Sequence, residues 1–147
     1  MELCGHADRP CGRLTYDDGE LEIMSPTYLH ENIGGIIGRM IEMFTFHGGI
    51  EISSTKSTTF QREQRVRGFE ADESYYISHA AMIIGIEQVA LEIHSPPDLV
   101  IEMDISHSSA LKMRVLAGLG VPEVWRFDGE RVKVHCLVDD VYEVRNS

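Results

Sequence analysis

Four acidic residues carry most of the chemistry this sequence offers. Glu102 and Asp104 interrupt an otherwise apolar run, Leu99-Val100-Ile101-Glu102-Met103-Asp104-Ile105, and Asp98 stands just before it. Side chains alternate along a strand, so Glu102 and Asp104 share one face while Ile101, Met103 and Ile105 take the other. Asp72, about thirty residues earlier, opens a second strand-like segment, Glu70-Ala71-Asp72-Glu73-Ser74-Tyr75-Tyr76-Ile77. Two strands ending side by side would bring Asp72 and Glu102 to one point. Carboxylates gathered in a buried place cannot all ionise without a cation. Mg²⁺ is a hard ion that takes one or two carboxylates beside waters and phosphate oxygens. An ion held there activates water and stabilises a leaving oxyanion in phosphodiester cleavage. A lysine nearby steadies the charge that develops. Lys112, on the helix that follows the carboxylate strand, has the reach. The same acids also suit a structural ion-pair network or a solvated edge strand, and spacing alone does not separate these readings.

Local patterns place the elements that must position these residues. Residues 13–16 and 20–24 alternate around Asp17-Asp18-Gly19, which reads as a hairpin. Ser25-Pro26 offers an N-cap and a first-turn proline for a helix reaching about Phe46. Ile33, Ile36, Ile37, Met40, Ile41 and Phe44 fall at helical spacing on one face of it. Gly48-Gly49 ends it, and Gly34, Gly35 and Gly38 weaken it while allowing close packing on a sheet. Residues 50–53, 57–61 and 89–93 read as short strands, and Pro96-Pro97 as a break. Ser108 or Ser109 caps a second helix that runs to about Leu119 and closes at Gly120. Residues 124–127 and 131–137 form a hairpin around Asp128-Gly129, and residues 141–144 add a last strand. These elements predict a mixed α/β (α+β) fold, with the long helix packed on a curved mixed sheet. Residues 1–12 are expected to be a loose N-terminal segment and residues 13–147 a single domain.

The net charge of −11 makes the chain a poor general attractor for phosphate backbones. That argues against an ordinary nucleic-acid-binding module. It argues less against a nuclease, whose metal site must concentrate carboxylates. One stretch is locally basic: Lys56, Arg62, Arg65 and Arg67 face only Glu63. It suits a phosphate backbone beside Asp72 and, equally, a solvated loop. Cys4, Cys11 and Cys136 do not form a disulfide framework. Cys4, His6 and Cys11 lack a fourth ligand and a zinc spacing. No apolar run approaches the roughly 20 residues of a membrane span, and the first residues have neither the basic nor the apolar part of a secretory signal. A cytoplasmic location is the expectation. No glycine-rich phosphate loop supports nucleotide binding. His30 extends the apolar stripe of the long helix, where a histidine belongs either to the core or to a site.

Four segments together resemble a known family. They are Leu14-Thr15-Tyr16-Asp17-Asp18-Gly19-Glu20-Leu21-Glu22-Ile23-Met24-Ser25-Pro26, the segment around Asp72, Pro97-Asp98 with the run to Ile105, and Leu119-Gly120-Val121-Pro122-Glu123-Val124-Trp125-Arg126. In this order, over nearly the whole chain, they resemble the Uma-type restriction endonuclease family, a branch of the PD-(D/E)XK nuclease superfamily. The resemblance implies a restriction-endonuclease-like core and a metal-dependent DNA endonuclease that uses Mg²⁺ or Mn²⁺. It assigns Asp72 and Glu102 as the catalytic, metal-holding acids. It assigns Lys112 as a catalytic lysine that has moved from the strand into the following helix. His30 and Glu31 match a polar pair facing the site, and Asp104 is expected as an outer metal ligand. Lys56, Arg62, Arg65 and Arg67 are expected phosphate contacts. Ala71 departs from the pattern, standing where the family usually has a proline before the aspartate. An N-terminal helical segment and a C-terminal segment of many relatives are also not recognised. These departures leave open an alternative, a catalytically inactive nuclease-fold domain kept for binding or assembly. A homodimer is expected, because one site per chain cuts two strands most simply as a two-fold pair.

Overall fold

In a computed structural model the described residues are 12–56, 58–62, 67–105 and 109–145. Cys4, His6, Cys11 and Arg65 lie outside them, as does nearly all of the expected N-terminal segment. The chain opens with the hairpin β1 (Arg13–Asp17) and β2 (Glu20–Met24). Its two turn residues, Asp18 and Gly19, both have positive φ, which an Asp-Gly pair tolerates. The long helix α1 (Tyr28–Gly48) starts two residues later than Ser25 predicts. Thr27 is the cap: its backbone is extended and its side chain accepts a bond from the His30 amide. Gly49, in the left-handed conformation, ends the helix.

Two sheets follow. The first is antiparallel, in the order β2, β1, β5 (Arg67–Glu70), β4 (Thr59–Arg62). The second runs β10 (Val141–Arg145), β9 (Val132–Val138), β8 (Glu123–Phe127), β7 (Leu99–Met103), β6 (Glu73–Tyr76), β3 (Ser53–Ser54). Among the described residues of this sheet only β7 and β8 pair in parallel. The helix α3 (Ala110–Leu119) makes the crossover between them, capped by the Ser109 hydroxyl and closed by Gly120. It packs on β1 and β5, so it lies between the two sheets. A short helix, α2 (Ala80–Ile83), follows β6. No helix among the described residues is long and apolar enough to cross a membrane.

All five residues of β7 are buried, as in a central strand covered on both faces. Leu99, Ile101 and Met103 join Tyr75 in a cluster against Ile33, Ile37 and Ile41 of α1. Val100 joins the main core with Phe60, Phe69, Val115, Leu116 and Val124. Glu102 shares the face of Val100, toward α3.

Four sequence expectations are corrected. Only half of the apolar stripe on α1 is used: Ile36, Met40 and Phe44 are exposed. Residues 89–93 are not a strand, because the chain closes locally, with the His94 amide bonding Ala90 O at 2.9 Å and the Ala90 amide bonding His94 Nδ1 at 3.0 Å. The expected strand at 50–53 is reduced to Ser53–Ser54, paired with Tyr76 and Tyr75. The segment from Glu70 to Ile77 is not one strand. The chain leaves the first sheet after Glu70 and enters the second at Glu73, so Ala71-Asp72 is the joint between sheets. Of the three helix glycines, Gly38 alone approaches the sheet closely: a Cβ there would stand 2.9 Å from Tyr75 Oη.

Candidate metal and catalytic site

The sheet switch places Asp72. Its Oδ2 accepts the Met103 amide at 2.7 Å, tying the joint to the end of β7. Its Oδ1 accepts Arg13 Nε at 2.5 Å, from the first residue of β1. Arg13 also reaches Glu31 Oε1 at 2.7 Å through Nη2. One guanidinium therefore bridges Asp72 and the first turn of α1.

Glu102 is placed by the burial of β7, and α3 returns Lys112 to it. Lys112 Nζ donates to Glu102 Oε2 at 2.8 Å, and both residues are buried. Glu102 Oε1 is buried with no hydrogen-bond partner. Burial pushes the Glu102 carboxyl up to about 8; Lys112 opposes the shift, and the charges of Asp72 and Asp104 add to it. Burial works against the Lys112 ammonium, but attraction to Glu102 and Asp72 outweighs it and holds that pKa above its usual value. These mutual effects put Arg13, Asp72, Glu102 and Lys112 in one electrostatic unit.

A narrow cleft opens onto this unit, lined by Glu22, His30, Glu102, Asp104, Ser109 and Lys112 among others. Its volume of about 20 Å³ admits on the order of one water. Asp104 lies just past β7, and its Oδ2 accepts Arg126 Nε at 2.5 Å. His30 stands with Nε2 2.7 Å from Met103 O and Nδ1 3.2 Å from Thr27 Oγ1. Since a carbonyl only accepts, Nε2 donates there, and both ring nitrogens are engaged. His30 thus fixes the end of the strand that carries Glu102. Among the described residues, no three His, Cys, Asp or Glu side chains are grouped closely enough to hold an ion by themselves.

The basic stretch is divided. Arg62 and Arg67 are directly opposed across β4 and β5 and line a groove of about 450 Å³ on the first sheet. Arg67 Nε bonds Asp17 Oδ1 at 2.6 Å, and Arg62 Nε is buried without a partner. Lys56 occupies the turn before β4, where its charge acts on Glu73.

Two site groups were not found from sequence. Arg13 is separated from Asp72 by 59 residues, and no motif surrounds it. Glu22 sits in the hairpin segment that carried the family resemblance, yet nothing in its alternation marks it as lining the cleft. The only available signal for Arg13 was its basic type at the start of the strand.

A family model described as "Uma2: Putative restriction endonuclease" matches residues 1–147. The chain belongs to the Uma2 family. The fold agrees with that membership. The chain is similar in structure to "a putative nuclease belonging to DUF820" from Anabaena variabilis, with a TM-score of 0.65 and 18% identity over 89% of this chain and 75% of that one. No curated protein matches the chain. For this Uma2 member the mixed α/β architecture is thus established, with two sheets and no barrel among the described residues.

Proposed function

We propose that the chain is a divalent-cation-dependent DNA endonuclease that hydrolyses phosphodiester bonds at Asp72, Glu102 and Lys112. The observation that carries this reading is Glu102 Oε1, a buried carboxylate oxygen with no donor, in a cleft shared with Lys112. An unsatisfied buried acceptor costs about 1–3 kcal/mol, and a cation would satisfy it. The donor set fits: Asp72 and Glu102 supply hard oxygens, and Mg²⁺ or Mn²⁺ needs only one or two from the protein. Asp104 is the outer acid. A bound ion of this kind supplies the charge that lowers the pKa of water and offsets a leaving oxyanion.

The protein's own residues do the rest. Glu102 Oε2 orients the Lys112 ammonium. Lys112 keeps its proton, so it acts as a donor and a positive charge toward water or phosphate, not as a base. His30 and Glu31 position the site, His30 through Met103 O and Glu31 through Arg13. Arg62 and Arg67, with Lys56 and Arg65, contact the phosphate backbone and offset the acidity of the chain.

One observation favours the second reading, a nuclease-fold domain without catalysis. Arg13 already neutralises Asp72, and Lys112 already pairs with Glu102, so the cluster partly satisfies itself. The test is single-turnover nicking of supercoiled plasmid with Mg²⁺ or Mn²⁺. The nuclease reading expects metal-dependent nicking that disappears in Asp72→Ala. Wild type cutting no faster than Asp72→Ala would leave the binding-only reading.

A further inference from the structure

The helix α1 presents its large apolar side chains outward. Its buried residues are His30, Gly34, Gly38 and Thr45, whereas Met40, Met43, Phe44 and Phe46 are 65, 62, 73 and 82% exposed. Leu29 and Ile36 extend the same outer face. Leu29, Ile36, Met40 and Met43 recur at spacings of seven, four and three, so they form one stripe along the helix. The four side chains of the stripe offer roughly 400 Å² of apolar surface, and Phe44 and Phe46, one on each flank, bring the total to roughly 700 Å². The largest patch on a monomer is typically about 300–600 Å².

We propose that this face of α1 is where a second copy of the chain docks, the two helices packing antiparallel about a two-fold axis near Met40. Area, charge and spacing favour that occupant. A standard interface removes about 800 Å² from each partner, close to what the stripe and its rim provide. A two-fold interface buries the same patch on both copies, and an unbroken apolar stripe is self-complementary. Arg39 and Glu42 lie on one flank of the stripe, three residues apart. An antiparallel pair centred there brings Arg39 of each copy toward Glu42 of the other. A lipid surface is a poor occupant, because interfacial helices carry several Lys or Arg, whereas α1 has only Arg39 and the chain carries −11. The site groups His30 and Glu31 sit at the other end of α1, so docking near Met40 leaves the cleft open. The inference does not depend on catalysis.

The test is sedimentation equilibrium or light scattering from 1 to 100 μM at physiological salt, on wild type, Met43→Glu and Leu21→Glu. Met43 is exposed, so the substitution leaves the fold intact, as the circular-dichroism melt would verify. Leu21, exposed on β2 of the other sheet, is the control. We expect wild type and Leu21→Glu to have twice the mass of one chain. Met43→Glu should be monomeric, its association weakened on the order of 100-fold or more, since each interface buries the new charge twice. A wild type monomeric at 100 μM would overturn the proposal, as would a Met43→Glu variant that stays dimeric. So would a monomeric wild type that dimerises only after residues 1–11 are removed, which would make the chain's own N-terminal segment the cover.

Discussion

Two clusters in this molecule join acids to bases in the interior, and they differ in one respect. Between the sheets, Asp17 accepts Arg67 Nε on one oxygen at 2.6 Å and Arg114 Nε on the other at 3.0 Å. Burial alone would raise the Asp17 carboxyl, but the two arginines outweigh it and hold its pKa below the usual value. At the end of β7, Glu102 accepts Lys112 on one oxygen and nothing on the other, and its carboxyl is raised to about 8. The first cluster is complete and pins α3 to the first sheet. The second leaves Glu102 Oε1 without a partner. Charged groups in a fold's interior are therefore not equivalent evidence of function; at Glu102 an oxygen without a donor coincides with a cleft shared with Lys112, and the brace at Asp17 has neither feature.

The largest expected contrast is in rate. In the plasmid assay, Lys112→Ala should lose about 10²–10³ in single-turnover cleavage, the usual effect of removing one charge stabiliser. It should still bind Mn²⁺, since an ammonium does not ligate a cation. Asp17→Asn, assayed where it is folded and with the enzyme saturating over plasmid so that any loss of the Arg67 contact does not limit the rate, should cut at the wild-type rate. Equal losses in both variants would erase the distinction between brace and site.

Stability should reverse the ranking. Asp17→Ala removes the acceptor of two guanidinium groups and should cost roughly 1–2 kcal/mol in urea unfolding, Arg114 being exposed and readily rehydrated. Lys112→Met should cost less at neutral pH, because the Glu102 carboxyl, raised to about 8, already holds a proton there and leaves no bare charge behind.

The two clusters should also respond oppositely to pH. The Asp17 carboxyl is depressed, so its contribution is fully present above the usual 3.8 and is lost as pH falls through the lowered value. Asp17→Asn should flatten that acid limb. The Glu102 carboxyl is raised from 4.5 to about 8, so the folded state holds a proton that the unfolded chain releases. Its contribution favours folding below 4.5 and is lost as pH rises toward 8. Melts across pH 5–8 should show this declining limb in wild type without metal, and Glu102→Gln should lack it.

Much of the fold was legible because local rules fixed it. The Asp18-Gly19 hairpin, the Gly49 and Gly120 helix ends and the Ser109 cap each depend on a residue type suited to one backbone conformation. The stripe on α1 was misread because periodicity reports which residues share a face, not whether that face meets the core. The sheet switch at Ala71-Asp72 was missed because a continuous run of strand-like residues does not record a change of partner. At the candidate site, the run from Leu99 to Ile105 marked Glu102, the acidic start of the earlier segment marked Asp72, the following helix marked Lys112, and the family resemblance assigned their roles. Arg13 stayed hidden because its role arises from a contact across 59 residues. The smallest expected effect tests the helix-to-sheet approach. Gly38→Ala sets a Cβ 2.9 Å from the buried Tyr75 Oη and should destabilise by about 1 kcal/mol despite the better helix propensity of alanine.

The site itself is tested most directly by calorimetric titration of Mn²⁺ into the folded chain, in wild type, Asp72→Ala and Asp17→Asn. We expect one ion per chain in wild type and in Asp17→Asn, and none in Asp72→Ala. Equal binding in Asp72→Ala, or none in wild type, would contradict the assignment of Asp72 and Glu102 as a divalent-ion site.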